Sequence, residues 1–131
     1  KQLFTNCLDC NAHSSFEDLR HLEVSSHLLI DRQGFTTQFV PFNKRAWHAG
    51  ESCFNGRSSC NDFSIGIELE GTDNGFYTEQ QYRSLVIASR QLMQDYPAIT
   101  VDNIVGHSDI APGRKTDPGS AFDWKYYLKQ L

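Results

Sequence analysis

Apolar and polar residues alternate most regularly over positions 63–70. Phe63, Ile65, Ile67 and Leu69 share one side, and Ser64, Gly66, Glu68 and Glu70 the other. A period of two predicts a strand. Residues 24–30 are apolar and β-branched around His27, 31–34 read Asp-Arg-Gln-Gly, and 35–40 resume the strand period. That predicts a β-hairpin with Gly34 in a left-handed conformation. The period changes to that of a helix over 78–96. There Tyr82, Leu85, Ala88, Ser89, Leu92, Met93 and Tyr96 form one stripe, and Pro97 ends it. Thr78 and Gln81 have the spacing of a capping box, with Tyr77 and Tyr82 as a hydrophobic staple. The stripe reads as core. Residues 100–105 predict a further strand, and 122–131 a last helix capped by Ser120. Residues 1–23 are polar and irregular, with at most a short helix near 16–22, and 41–62 read as one long loop. There is no repeat, low-complexity tract or linker.

Composition narrows the field. A chain of 131 residues is one domain by length, with enough surface to bury a core. Lys plus Arg is 12 and Asp plus Glu is 16, a net charge of −4. This argues against a nucleic-acid partner, which needs a basic patch. No apolar run approaches the roughly 20 residues of a membrane span, and no secretory leader is visible. Cysteines stand at 7, 10, 53 and 60. The first two form a C-x-x-C, but the second two lie too far apart to complete a paired zinc site. Reduced thiols in a reducing compartment are the expectation.

The densest chemistry lies in 106–119, G-H-S-D-I-A-P-G-R-K-T-D-P-G. Pro112, Gly113, Pro118 and Gly119 break regular structure, so the stretch reads as a loop following a strand end at Ile104 and Val105. It holds His107, Asp109, Arg114, Lys115 and Asp117. Imidazole and carboxylate suit Zn2+, so His107 and Asp117 can be read as two metal ligands with Lys115 aimed at the same point. The plainer reading is a solvated polar loop with one stray histidine. Glu68 shares its strand face with Gly66, which leaves space beside it. It is either a carboxylate on an exposed face or a base held over a site. His27, inside a strand, is more commonly a satisfied sheet histidine. The 41–62 loop carries Trp47-His48, Arg57 and Asn61, and loops of that length are usually functional or disordered.

In order along the chain stand S-x-H-L-L-I-D-R-x-G, V-P-F-x-K-R-A-W-H-A-G, C-N-D-F-S-I-G-I-E-L-E-G-T-D and G-H-x-D-I-A-P-x-R-K-T-D-P-G. Together these resemble the AmpD-type N-acetylmuramyl-L-alanine amidases, which belong with the peptidoglycan-recognition and phage amidase fold. The resemblance runs from about Leu3 to the C-terminus. It implies an α/β (α+β) fold, a central mixed β-sheet flanked by helices, in a single amidase domain over 1–131. It implies zinc-dependent hydrolysis of the amide between the lactyl group of the muramyl sugar and L-alanine, on anhydromuropeptides recovered in the cytoplasm during cell-wall recycling.

Carried over by motif, His107 and Asp117 resemble two of three zinc ligands, Glu68 the general base and Lys115 the electrostatic partner of the oxyanion. His27, Trp47, His48, Arg57 and Asn61 fall in stretches that would wall the cleft and contact the muropeptide. Many relatives carry an Arg near position 59, where this chain has Ser59. The family's third ligand is a His on an early strand, in a segment resembling V-I-H-N, which precedes anything matching here. The expectation is that this strand lies upstream of Lys1 or on a separate N-terminal fragment. His13 and His21 sit in polar sequence without a strand. The competing readings are a muropeptide-binding module that does not cut, and a structural zinc protein built on Cys7 and Cys10. The first has no need of a base; the second leaves 106–119 unexplained.

Overall fold

In a computed structural model of the chain, residues 2, 3, 9, 11, 12 and 24–131 are described. The expected helix near 16–22, Cys7, Cys10, His13 and His21 lie outside the described residues. The sheet has the order β2-β1-β5, from β1 (Leu28–Ile30), β2 (Thr36–Gln38) and β5 (Ile67–Leu69). β1 runs antiparallel to β2, with Leu29 opposite Thr37, and parallel to β5, with Leu29 opposite Glu68. The sheet is therefore mixed and, with its flanking helices, gives the expected α+β fold.

The β1–β2 hairpin turns through Gly34 at φ 83°. Asp31 Oδ1 secures the turn by accepting from the N–H groups of Gln33 at 3.0 Å and Phe35 at 2.9 Å. The strands are shorter than the residue pattern predicts. The N–H groups of His27 and Leu28 both donate to the Gly66 carbonyl, so regular pairing of β1 with β5 starts at Leu28. Upstream of β5, Phe63 N–H closes a 3-10 turn, Cys60–Asp62, and the Ser64 hydroxyl donates to the Cys60 carbonyl at 2.6 Å. That turn takes the front of the strand expected from residue 63.

Helix α1 (Glu79–Asp95) has the full predicted capping box. The Tyr77 and Tyr82 rings meet edge to face at 6.4 Å, as a staple requires. Gln81 also donates from Nε2 to the Glu70 carbonyl at 2.8 Å, tying the helix start to the end of β5. The core gathers Ile30, Tyr82, Leu85, Phe122 and Tyr127, with Ile67, Leu69 and Ile104 packed on it. Phe122 is its hub, 5.2 Å from Tyr82, 5.4 Å from Tyr77 and 4.7 Å from Trp124. Such aromatic pairs contribute about 0.5–1.5 kcal/mol each beyond burial.

Four expectations are corrected. The 41–62 stretch contains a hairpin, β3 (Cys53–Phe54) with β4 (Arg57–Ser58), turned by Asn55 at φ 49° and Gly56 at φ 79°. Residues 100–105 form a 3-10 turn, Val101–Asn103, because the Asn103 side chain binds the Thr100 N–H at 2.9 Å and the Ala98 carbonyl at 3.0 Å and so competes with a ladder. The front of the 106–119 loop winds into a short helix, α2 (His107–Ile110), whose Asp109 accepts from the Gly106 N–H at 2.7 Å. The last helix, α3 (Trp124–Lys129), is capped by Asp123 rather than Ser120, through the Tyr126 N–H at 2.8 Å.

Candidate active site

The parallel pairing of β1 with β5 fixes Glu68 at the middle of β5. α2 presents His107, and the turn after it returns Asp117, whose carbonyl accepts the Ser108 N–H at 3.0 Å. These residues line a cleft of about 870 Å³ between β5, α1 and the 42–62 segment. His107 Nδ1 lies 3.1 Å from Asp117 Oδ2, and its Nε2 lies 3.0 Å from the Ala49 carbonyl. The imidazole therefore stands between two acceptors. The hydrogen bond to Asp117 chiefly raises the His107 pKa, with burial opposing; the same bond chiefly lowers that of Asp117. Burial pushes the Glu68 carboxyl up, Asp117 adds to the rise, and His107 and Lys115 counter it. Glu68, His107, Lys115 and Asp117 are thus brought within one electrostatic neighbourhood.

His48 lies against β5, where a Cβ on Gly66 would come 2.3 Å from its ring. Burial, then His27 and His107, lower its pKa to about 4, so it is neutral at ordinary pH. Among the described residues its buried Nε2 meets no partner in good hydrogen-bond geometry, with only a Ser64 backbone contact opposing the fall in pKa. Arg57 lines the cleft with its guanidinium 3.9 Å over the Phe63 ring. Asn61 also lines it but is buried, with Oδ1 accepting from the N–H groups of His48 at 3.0 Å and Ala49 at 2.8 Å. Its carbonyl oxygen is committed to holding the His48–Ala49 backbone.

Two expected contact residues, His27 and Trp47, do not line the cleft. His27 is 1% exposed; Nδ1 accepts from the Gly66 N–H at 3.0 Å and Nε2 donates to the Lys44 carbonyl at 2.9 Å. Both nitrogens are spent, so it acts as a brace between β1 and the cleft wall and offers no lone pair to a ligand. Trp47 is 52% exposed beside that wall, with the Arg45 guanidinium 3.9 Å over its ring and Arg45 paired to Asp62 at 2.9 Å. The sequence reading gave Tyr77 only a packing role, whereas its hydroxyl donates to the Pro118 carbonyl at 2.9 Å, and it did not foresee the Ala49 carbonyl at His107 Nε2. Only the tyrosine's place before the helix cap could have flagged it.

A mixed sheet with flanking helices is the fold of the AmpD and AmiD amidase structures. Residues 1–120 match the family profile described as N-acetylmuramoyl-L-alanine amidase, and the chain belongs to that family. It is 58% identical over 129 residues to the 1,6-anhydro-N-acetylmuramyl-L-alanine amidase AmpD of Enterobacter cloacae, covering 98% of this chain and 68% of that protein. Against AmpD of Escherichia coli K12 it is 58% identical over 122 residues, covering 93% of this chain and 66% of that one. The chain thus spans about two thirds of the length of these curated relatives. A crystal structure of an AmpD selenomethionine derivative superposes with a TM-score of 0.96 at 54% identity, over 99% of this chain and 72% of that one. The amidase AmiD of E. coli, in complex with anhydro-N-acetylmuramic acid-L-Ala-D-γ-Glu-L-Lys, matches with a TM-score of 0.78 at 34% identity, over 89% of this chain and 51% of that one.

Proposed function

We propose that this chain carries the core of a zinc-dependent amidase, acting in the cytoplasm during cell-wall recycling. Its reaction is hydrolysis of the amide between the lactyl group of (1,6-anhydro-)N-acetylmuramic acid and L-alanine. The observation that supports this best is the His107–Asp117 pair. His107 Nδ1 and Asp117 Oδ2 stand 3.1 Å apart, with Nε2 held at the Ala49 carbonyl, so that loss of the proton shared between them would leave both atoms free to bind a metal. Two donors at tetrahedral positions around one zinc, each about 2.0–2.1 Å from it, stand about 3.3 Å apart. The pair therefore fits two ligands of a shared ion. Among the described residues no group of three or more His, Cys, Asp or Glu could hold a metal. A third ligand for the proposed site is sought outside the described residues. Among the described residues β5 pairs with β1 alone.

When bound, zinc would supply Lewis acidity that polarises the scissile carbonyl and lowers the pKa of a water ligand from 15.7 toward about 7. Glu68, half-buried and raised in pKa, would take a proton from the attacking water and return it to the departing amine nitrogen. The water oxygen bonds to the carbonyl carbon, the C–N bond breaks, and the products are the lactyl carboxylate and the free amine of L-alanine. Lys115 would face the negative charge that builds on the carbonyl oxygen. A module that only binds would have no use for a base held at this place.

Zinc stoichiometry and anhydromuropeptide cleavage, measured on residues 1–131 and on a version extended upstream, test the reading. Tight zinc binding and cleavage are expected in the extended version, with weak zinc binding in 1–131. Full zinc and activity in 1–131 would remove the upstream ligand. Binding without cleavage in both would favour the binding module.

A further inference from the structure

Arg114 is an exposed residue beside Lys115, in a stretch where a solvated loop charge is the ordinary expectation. Its guanidinium is instead folded back onto the 49–51 backbone. Nε donates to the Glu51 carbonyl at 3.1 Å, and Nη2 donates to that carbonyl and to the Ala49 carbonyl, each at 2.6 Å. Gly50, between the two carbonyls, has φ 58°, and a Cβ there would stand 3.2 Å from both terminal guanidinium nitrogens. The Ala49 carbonyl is the same one that faces His107 Nε2 at 3.0 Å. Both groups thus converge on this carbonyl, and Arg114 Nη2 also stands 3.5 Å from His107 Nε2. On the other side of this peptide, Asn61 holds the Ala49 N–H.

We propose that Arg114 is a positioning residue for the metal pair. By fixing the Ala49 carbonyl it keeps the His107 Nε2–H engaged there, and so keeps Nδ1 turned toward Asp117. This rests on the metal reading given above. The chemistry favours arginine. A planar fork reaches two adjacent carbonyls at fixed angles, whereas a lysine is a single mobile point donor. Partners that orient a ligating histidine through its second nitrogen typically change metal affinity by about 10–100-fold when removed.

The test compares the chain with Arg114→Gln. Zn2+ affinity is measured by competition with a chelator. Solvent exchange of the His107 Nε2–H is followed by imidazole 15N–1H NMR, both in chelator and with Zn2+ added. Zn2+ binding weaker by about 10–100-fold and faster Nε2–H exchange are expected in Arg114→Gln, with Arg114→Lys only partly restoring either. A folded Arg114→Gln with unchanged affinity and exchange overturns the proposal, even if it melts at a lower temperature. Should Arg114→Gln fail to fold, Arg114→Lys is judged on the same readouts. Where residues 1–131 bind Zn2+ too weakly to compare, the affinities are taken in the version extended upstream; if that too binds none, the metal reading fails by itself, and the exchange rates in chelator still decide the role of Arg114.

Discussion

The His48 ring lies directly against Gly66, so close that a Cβ at position 66 would stand 2.3 Å from His48 Cγ and 2.6 Å from Nδ1. Gly66 also accepts two backbone N–H groups through its carbonyl and donates its own N–H to His27. It is fixed on every side. Gly66→Ala therefore has to displace the His48 ring or the start of β5. A destabilisation of about 1–3 kcal/mol is expected, the usual cost of overpacking, together with a loss of activity through Glu68 two residues on. Urea unfolding and the cleavage rate check this; a variant as stable and as active as the parent would refute the contact.

His48 also sets a pH dependence. Its folded pKa, about 4, lies below the ordinary 6.5, so below pH 6.5 the unfolded chain takes up a proton that the folded chain refuses. Stability from this group is complete above pH 6.5, falls as pH drops through the window from 6.5 to about 4, and levels off below it. The slope approaches about 1.4 kcal/mol per pH unit within the window. Urea unfolding in chelator, parent minus His48→Gln, should show that slope. A pH-independent difference would mean that His48 titrates normally.

Glu68 carries the opposite sign. Its folded pKa is raised, mainly by burial, so the ionised form opposes folding, and stability declines as pH rises through that raised value. Glu68→Gln removes a buried charge and should be at least as stable as the parent at neutral pH. Glu68→Ala is expected to retain fold and zinc while losing at least about 100-fold in rate, the scale of general acid–base catalysis. Near-normal turnover in Glu68→Ala would take Glu68 out of the mechanism.

Cys53 and Cys60 are free thiols, the first exposed and the second buried. Cys53 should react with a thiol reagent in the native protein, and Cys60 only on unfolding. Intact mass without reductant is expected to show free thiols on Cys7, Cys10, Cys53 and Cys60. Two disulfides in that measurement would point to an exported protein.

How far the sequence carried depended on whether the information was local. Thr78, Gln81, Tyr77 and Tyr82 specify a helix start through neighbours in the chain, and the helix begins where they place it. Gly34 likewise marks its turn. Asn55-Gly56 was an equally local hairpin signal that went unread inside a supposed loop. Residues 100–105 look apolar enough for a strand, but a strand needs a partner, and Asn103 offers its backbone a nearer one. His107 and Asp117 were legible as a pair because chemistry and motif agreed. The parts of His27 and Asn61 were not, because both turn on contacts with residues distant in sequence that hydropathy does not encode.

Gln81 has a wider consequence. It is 0% exposed, and its one amide joins three elements: Oε1 accepts the Thr78 N–H at 3.0 Å, and Nε2 donates to the Glu70 carbonyl at 2.8 Å and reaches the Ile30 carbonyl at 3.4 Å. Fraying of α1 at its first turn and parting of β1 from β5 at their far ends therefore break the same bonds. The two events belong to one cooperative opening unit, and their amides should exchange with deuterium at a common free energy. The strand that carries Glu68 is thus no looser than the helix beside it.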